Sequence, residues 1–193
     1  MSDLLKCEFL NPQNVGDAAA PSFTGRGGSF VCGATARLSI QVDASLNISE
    51  AKFRAAGCEV LIATFSILTQ RLPGLSPTDA ALIGQNPGEF ISQFEIASDK
   101  HHCVRLAFDT LVAGVREYSD AARSEWNGEE ALICTCFFVS ENMIEDEIKL
   151  GQLTTVREVT RACNAGGGCG SCQPLIVEIL ESVNGPGVSG ELS

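Results

Sequence analysis

Nine cysteines in 193 residues constrain this chain more than any other feature. They are Cys7, Cys32, Cys58, Cys103, Cys134, Cys136, Cys163, Cys169 and Cys172. An odd count in a chain of this length argues against a disulfide scaffold. The start, MSDLLKCEFLNP, has no basic segment followed by an apolar one, so no export signal is read there. The expectation is a cytoplasmic protein whose reduced thiols hold metal or do redox work.

Charge narrows the partners. Lys and Arg number 13 against 24 Asp and Glu, a net charge of −11. That field repels phosphate backbones and anionic lipid, so neither nucleic acid nor a membrane surface is expected as a partner. Seven acidic residues and one Lys lie between Glu125 and Leu150. Such a run reads as a solvated face before it reads as a docking surface. The longest apolar runs, such as Cys136–Val139, fall far short of the ~20 residues of a membrane helix. The hydrophobic share of 45% is enough for a sizeable core.

The chain reads as two domains of different texture. Residues 1–30 carry Pro12, Pro21 and several Gly, and are expected to be a mobile leader with few anchors. Thr35–Val42 alternates as a half-buried strand, and Ala51–Ala56 reads as its partner across the Ser45–Ser49 turn. Cys58–Leu72 repeats at helical spacing and stops at Pro73–Gly74. Ser76 begins another helix, with Asp79 as its capping partner. A long helix is expected from His102 to about Ser124, with Val104, Phe108, Leu111, Val112, Val115 and Tyr118 on one stripe. The polar stretch 119–130 suggests a boundary. The expected division is a domain over 31–124, a linker over 125–130, a second domain over 131–184 and a flexible tail over 185–193. In the second domain, helices are expected over Ser140–Leu150 and Thr155–Cys163, with Thr155 and Glu158 as a capping box. A last helix follows the glycine-dense loop 165–170.

The later cysteines read C-x-C, then 32 residues, then C-x-x-C. Two close pairs of thiolates suit a [2Fe–2S] cluster, two per iron. The glycines of 166–170 allow close backbone approach and expose N–H groups to thiolates. The alternative is a four-cysteine zinc site. Zinc ribbons pair two C-x-x-C motifs over about 15–20 residues, which this spacing does not match. A phosphate loop is excluded, because no Gly-Lys-Ser/Thr follows and no strand precedes. The segment from ICTCFFVSENM to GGGCGSCQPLIVEIL, residues 133–180, resembles the bacterioferritin-associated-ferredoxin-like [2Fe–2S] module, as found centrally in NifU-type proteins. The resemblance spans about 131–183. It implies a permanent cluster on Cys134, Cys136, Cys169 and Cys172, with Cys163 an additional, partly buried helix residue.

Cys32, Cys58 and Cys103 are far apart, each beside the edge of an expected element. Helix N-termini favour thiolates, so Cys58 and Cys103 are placed for metal binding. Three scattered core cysteines are an equal alternative on these grounds alone. His101 and His102 adjoin Cys103. Neighbours on a helix point about 100° apart, so His102 is not expected to act as a base for Cys103.

NPQNVG, CGATARLSIQV, AKFRAAGCEVLIATFSILTQRL and HHCVRLAFDTLVAGVREY resemble the U-type iron–sulfur scaffold, the family of IscU and the NifU N-terminal domain, over about 9–122. This implies an assembly site on Cys32, Cys58, Cys103 and His102, holding iron or zinc and a transient cluster. Two positions depart from the family. Its Asp after the first Cys-Gly is Ala34 here, and its Leu-Pro-Pro-Val-Lys chaperone motif is replaced by Ile96–Lys100, IASDK. A C-terminal Nfu domain, common in NifU proteins, is not reached.

The resulting expectation is an α+β domain, a small mainly antiparallel sheet covered by helices, followed by a small helical [2Fe–2S] module. The resemblance implies a scaffold and carrier, not a turnover enzyme. A cysteine desulfurase donates sulfur, Cys103 accepts it as persulfide, and recipient apo-proteins take the transient cluster. A redox role for the permanent cluster and a homodimer are both compatible with this. The alternatives are a ferredoxin-like redox or regulatory protein whose first domain has lost assembly, and a zinc-stabilised interaction module.

Overall fold

The computed structural model describes residues 2–125, 128 and 130–185, with the backbone alone over 122–125. Parts of the expected linker (126, 127 and 129) and tail (186–193) lie outside the described residues. The chain divides into two compact units, residues 1–118 and 119–193.

The first unit is built on a three-stranded antiparallel sheet, β1 (Phe23–Gly28), β2 (Thr35–Val42) and β3 (Ile48–Ala56), in the order β1-β2-β3. Strand β2 and the turn between β2 and β3 agree with the sequence reading, whereas β3 begins at Ile48 rather than Ala51 and β1 lies within the expected leader. Alternation with Leu38 and Ile40 would put Ser39 on the open face of β2, yet it is 1% exposed. Its hydroxyl accepts a hydrogen bond from the Ala18 N–H at 2.8 Å.

That bond belongs to a larger correction. Residues 1–30 are not an unanchored leader. Helix α1 (Asp3–Leu10) is capped by Ser2 and buries Leu5. Helix α2 (Glu59–Arg71) holds the segment that follows, because Ser66 Oγ accepts the Gln13 N–H at 2.8 Å. Asn14 and Gly16 then exchange backbone hydrogen bonds with Phe53 of β3. The Gly and Pro content reported turns correctly. It hid the anchors because their partners, Ser39, Phe53 and Ser66, lie more than 20 residues away.

Helix α2 runs between its N-cap Cys58 and its C-cap Leu72, as its period required. It is buried almost all round, and Phe65 stacks on Phe53 at 5.2 Å between centroids. Helix α3 (Pro77–Gly84) starts on its Ser76 cap. Helix α4 (Pro87–Gln93), which the sequence reading did not separate, follows at Pro87. Helix α5 (His101–Glu125) carries the expected stripe, with Val104, Phe108, Leu111 and Val115 buried.

Helix α5 meets β1 backbone to backbone. An added Cβ at Gly25 would lie 1.9 Å from the Thr110 carbonyl oxygen and 2.9 Å from the Gly114 nitrogen. At Gly114 an added Cβ would lie 3.0 Å from the Gly25 nitrogen. Only glycine permits this approach, and it fixes the middle of α5 against the sheet.

Among its described residues beyond α5, the second unit has a two-stranded ribbon, β4 (Leu132–Cys134) and β5 (Val139–Ser140), and three helices. Helix α6 (Glu141–Gly151) is capped by Ser140. Helix α7 (Val156–Cys163) opens with the Thr155–Glu158 capping box and ends on Asn164 in the left-handed region. Helix α8 (Gln173–Asn184) starts at Cys172, with Pro174 in its first turn. Ile144, Ile148, Val159, Ile176 and Leu180 form its core. Among the described residues, no helix is long and apolar enough to cross a membrane.

Candidate metal centres

In the first unit, three elements deliver thiols to one end of the sheet. Cys32 sits in the β1–β2 hairpin loop, closed by Ser29 N–H to the Ala34 carbonyl at 2.8 Å. Cys58 is the N-cap of α2, and His102 and Cys103 lie in the first turn of α5. Cys58 and Cys103 place their sulfurs 3.0 Å apart. The ligand atoms of Cys32, His102 and Cys103 all lie within 4.8 Å of one another. All four residues singled out from the sequence therefore converge. Three soft thiolates and one imidazole are a donor set for iron or zinc.

Their electrostatics differ from expectation. A helix start was expected to favour the Cys103 thiolate. Instead burial, then the hydrogen bond and charge of Cys58, push Cys103 up to about 12. The dipole of one helix end is outweighed because the thiol is 2% exposed. The exposed Cys32 is the one held low, at about 7, by the Ser29 hydroxyl, the Ala34 N–H and then His102. The second correction concerns His102. Its Nε2 lies 3.3 Å from Cys103 Sγ, in reach to exchange a proton. The angle between neighbouring Cα–Cβ bonds does not limit a ring that extends two bonds further. Ala34 is buried, and it packs against Gly57, the residue before Cys58.

In the second unit, Cys134 ends β4 and Cys136 lies in the turn that follows, while Cys169 and Cys172 close the glycine loop ahead of α8. All four line one cavity of about 220 Å³. Cys136 and Cys169 stand 3.5 Å apart, and Cys172 donates to Cys134. Each motif thus gives one thiol to each contact pair. The Cys172 bond, with backbone N–H groups from Gly166, Phe137 and Cys136, lowers Cys134 to about 6. Cys172 moves up, chiefly because it donates to Cys134. Cys169 is lowered by the Ser171 hydroxyl 3.0 Å away, and burial raises Cys136. In each contact pair one thiol is held low and its neighbour high, as two like charges side by side require.

The cradle fits a cluster. A Cβ at Gly168 would lie 2.7 Å from Cys136 Cβ and 2.9 Å from its Sγ, so only glycine lets this loop lie against the thiol. Four thiols around one cavity, met by backbone N–H groups, are the donor set a [2Fe–2S] group needs. Cys163 stands apart: its thiol donates to the Val159 carbonyl at 3.3 Å, and burial raises it to about 11. Ser29 and Ser171 were missed in the sequence, where a serine two or three residues from a cysteine carries no distinguishing signal.

A family profile described as the NifU-like N-terminal domain matches residues 3–125, well over half of the chain. The chain belongs to the NifU-like family. A second profile, the BFD-like [2Fe-2S] binding domain, matches residues 132–182. The nitrogen fixation protein NifU of Azotobacter chroococcum is 32% identical over 96% of this chain, which spans 60% of that relative's length. The iron–sulfur cluster assembly scaffold protein IscU of Azotobacter vinelandii is 35% identical over 61% of this chain and 92% of its own. Among solved structures, a putative iron–sulfur cluster assembly scaffold protein for the SUF system from Fervidobacterium islandicum superposes with a TM-score of 0.52 at 16% identity. It covers 60% of this chain and 96% of its own. That likeness concerns the fold, an antiparallel sheet flanked by helices, which the NifU-like unit shares.

Proposed function

We propose that the protein is an iron–sulfur cluster assembly scaffold. It builds a transient cluster on Cys32, Cys58, Cys103 and His102 and passes it to apo-proteins. The carrying observation is the convergence of three thiols and one imidazole from three elements, with one thiol exposed and one buried. Family membership supports a cysteine desulfurase as sulfur source and apo-proteins as recipients.

Cys103 is the proposed sulfur acceptor. Its burial keeps it protonated, so it needs a base, and His102 Nε2 stands 3.3 Å away. As the proton passes to His102, Cys103 attacks the outer sulfur of the donor's cysteine persulfide. The donor's S–S bond breaks, its electron pair leaves with the donor thiolate, and a new S–S bond forms on Cys103. In the second unit, Cys134, Cys136, Cys169 and Cys172 would hold a permanent [2Fe–2S] group. Such a group, when bound, would supply one electron at a time, and reduction of a persulfide to thiol and sulfide would draw two in succession.

Mass spectrometry after anaerobic incubation with a cysteine desulfurase and cysteine should find one added sulfur on Cys103. Cys103→Ser should abolish it, and His102→Ala should slow it about 100-fold. Persulfide forming equally well on Cys103→Ser would sink the assignment.

The family's carboxylate, a hard ligand that opens readily, is Ala34 here. The remaining ligands are soft, so Ala34→Asp is expected to speed cluster transfer to an apo-ferredoxin and shorten cluster lifetime in air. Equal transfer rates under the same anaerobic conditions would show that Ala34 only packs against Gly57.

A further inference from the structure

The hairpin that carries Cys32 shows two features that the assembly chemistry does not use. Phe30 and Val31, immediately before Cys32, stand in solvent at 108% and 86% exposure. Scattered exposed apolar residues are ordinary. Two large ones side by side at the tip of a loop that carries a site thiol call for a partner. The second feature is a row of arginines. Arg26, Arg37 and Arg54 are register partners across β1, β2 and β3, so they project from one face as adjacent rungs about 4.8 Å apart. The row crosses the sheet two register positions from the loop and borders an open groove of about 460 Å³, also lined by Thr35 and Ala56. It concentrates positive charge on a chain of net charge −11.

The row already accepts a carboxylate. Asp17 pairs with Arg37 and also takes the Arg54 Nε–H at 2.7 Å, one oxygen to each rung. Its carboxyl is held low, first by the Arg54 hydrogen bond and then by Arg37. The exposed Arg26 extends the row on the far side of Arg37.

We propose that this hairpin is the surface on which the cluster-receiving protein docks. Phe30, flanked by Val31, seats in an apolar socket of the receiver, and carboxylates around that socket pair with the arginine row. The receiver is the occupant because of where the thiols lie. Sulfur goes to the buried Cys103, whereas a departing cluster is reached by an incoming thiol at the exposed Cys32, on this loop. The proposal rests on the scaffold reading of the same site.

The test uses the full chain, loaded chemically with ferric iron and sulfide, and an acidic apo-[2Fe–2S] ferredoxin as acceptor. Transfer is read as the ferredoxin's recovered electron-transfer activity at rising acceptor concentration. Phe30→Ala should raise the acceptor concentration for half-maximal rate about tenfold or more. The rate at saturation should be unchanged, because a fully exposed side chain supports no fold. Arg26→Glu should weaken docking similarly at low salt and remove most of its salt dependence. Equal concentration dependence in the wild type and both variants overturns the proposal. Failure of the wild-type protein to load or transfer counts against the scaffold reading instead. Docking is then read from ferredoxin binding to the cluster-free protein, where equal binding by wild type and Phe30→Ala overturns it.

Discussion

Purified under anaerobic conditions, the protein should be red-brown, and alanine at Cys169 or Cys172 should remove the stable part of that colour. Each iron of a [2Fe–2S] group needs two thiolates, and the cavity of the second unit offers four. Loss of one leaves an iron with an open position that water and chelators reach, most directly at the exposed Cys169. The expected result is loss of about two irons and two sulfides per chain after mild chelation and desalting. Cys163→Ala should leave the colour intact, because that thiol is spent on the Val159 carbonyl inside α7. Iron and sulfide analysis with the visible spectrum decides the matter. Bleaching by Cys163→Ala, or a colourless wild-type protein containing zinc, would show that the ligands or the metal were misassigned.

Much of this candidate site was legible in the sequence, because its thiols come in short motifs. C-x-C and C-x-x-C announce themselves within a few residues, and the Gly run beside them explains the close approach at Gly168. The helices were legible for a similar reason. Periodicity and caps such as Ser76, Ser140 and the Thr155–Glu158 box are local signals. The first centre was harder to read. Cys32, Cys58 and Cys103 lie far apart in sequence, and only the family resemblance tied them together. Two errors had one cause. The Cys103 thiolate and the idle His102 were inferred from position on a helix, whereas burial and side-chain reach decide both. The supposed leader failed in the same manner, because Ser39 and Ser66, which hold it, lie outside any local window.

Gly25→Ala should cost the first unit most of its stability. Its new methyl would sit 1.9 Å from the Thr110 carbonyl oxygen, a backbone atom that moves only if α5 moves. Ordinary overpacking costs about 1–3 kcal/mol, and here no side chain can rotate away, so the cost should lie at or above the top of that range. For a unit of this size that lowers the midpoint of thermal unfolding by roughly 10 °C or more. Gly28, on the same strand, is the control. Its added methyl would meet nothing closer than the Ala34 carbonyl oxygen at 3.8 Å, and Gly28→Ala should be neutral or slightly stabilising. Thermal unfolding followed by far-ultraviolet circular dichroism on both variants tests this. Equal midpoints would mean that β1 and α5 separate without penalty. Displacing α5 also displaces Cys103 and His102, so Gly25→Ala should weaken metal binding by the first unit, whereas the second unit should keep its colour.

The same glycine contact sets a schedule for synthesis. Gly25 cannot find its seat until Gly114 has been made. At about 5–20 residues per second, the wait on the ribosome is roughly 4–18 s. In the course of that interval Cys32 and then Cys58 are translated, while α5, which brings Cys103 to them, is not yet fixed against the sheet. A nascent chain of this kind offers two unpaired thiols to any free metal ion before its own site exists. In the second unit the corresponding wait is shorter, since 32 residues separate the C-x-C pair from the C-x-x-C pair.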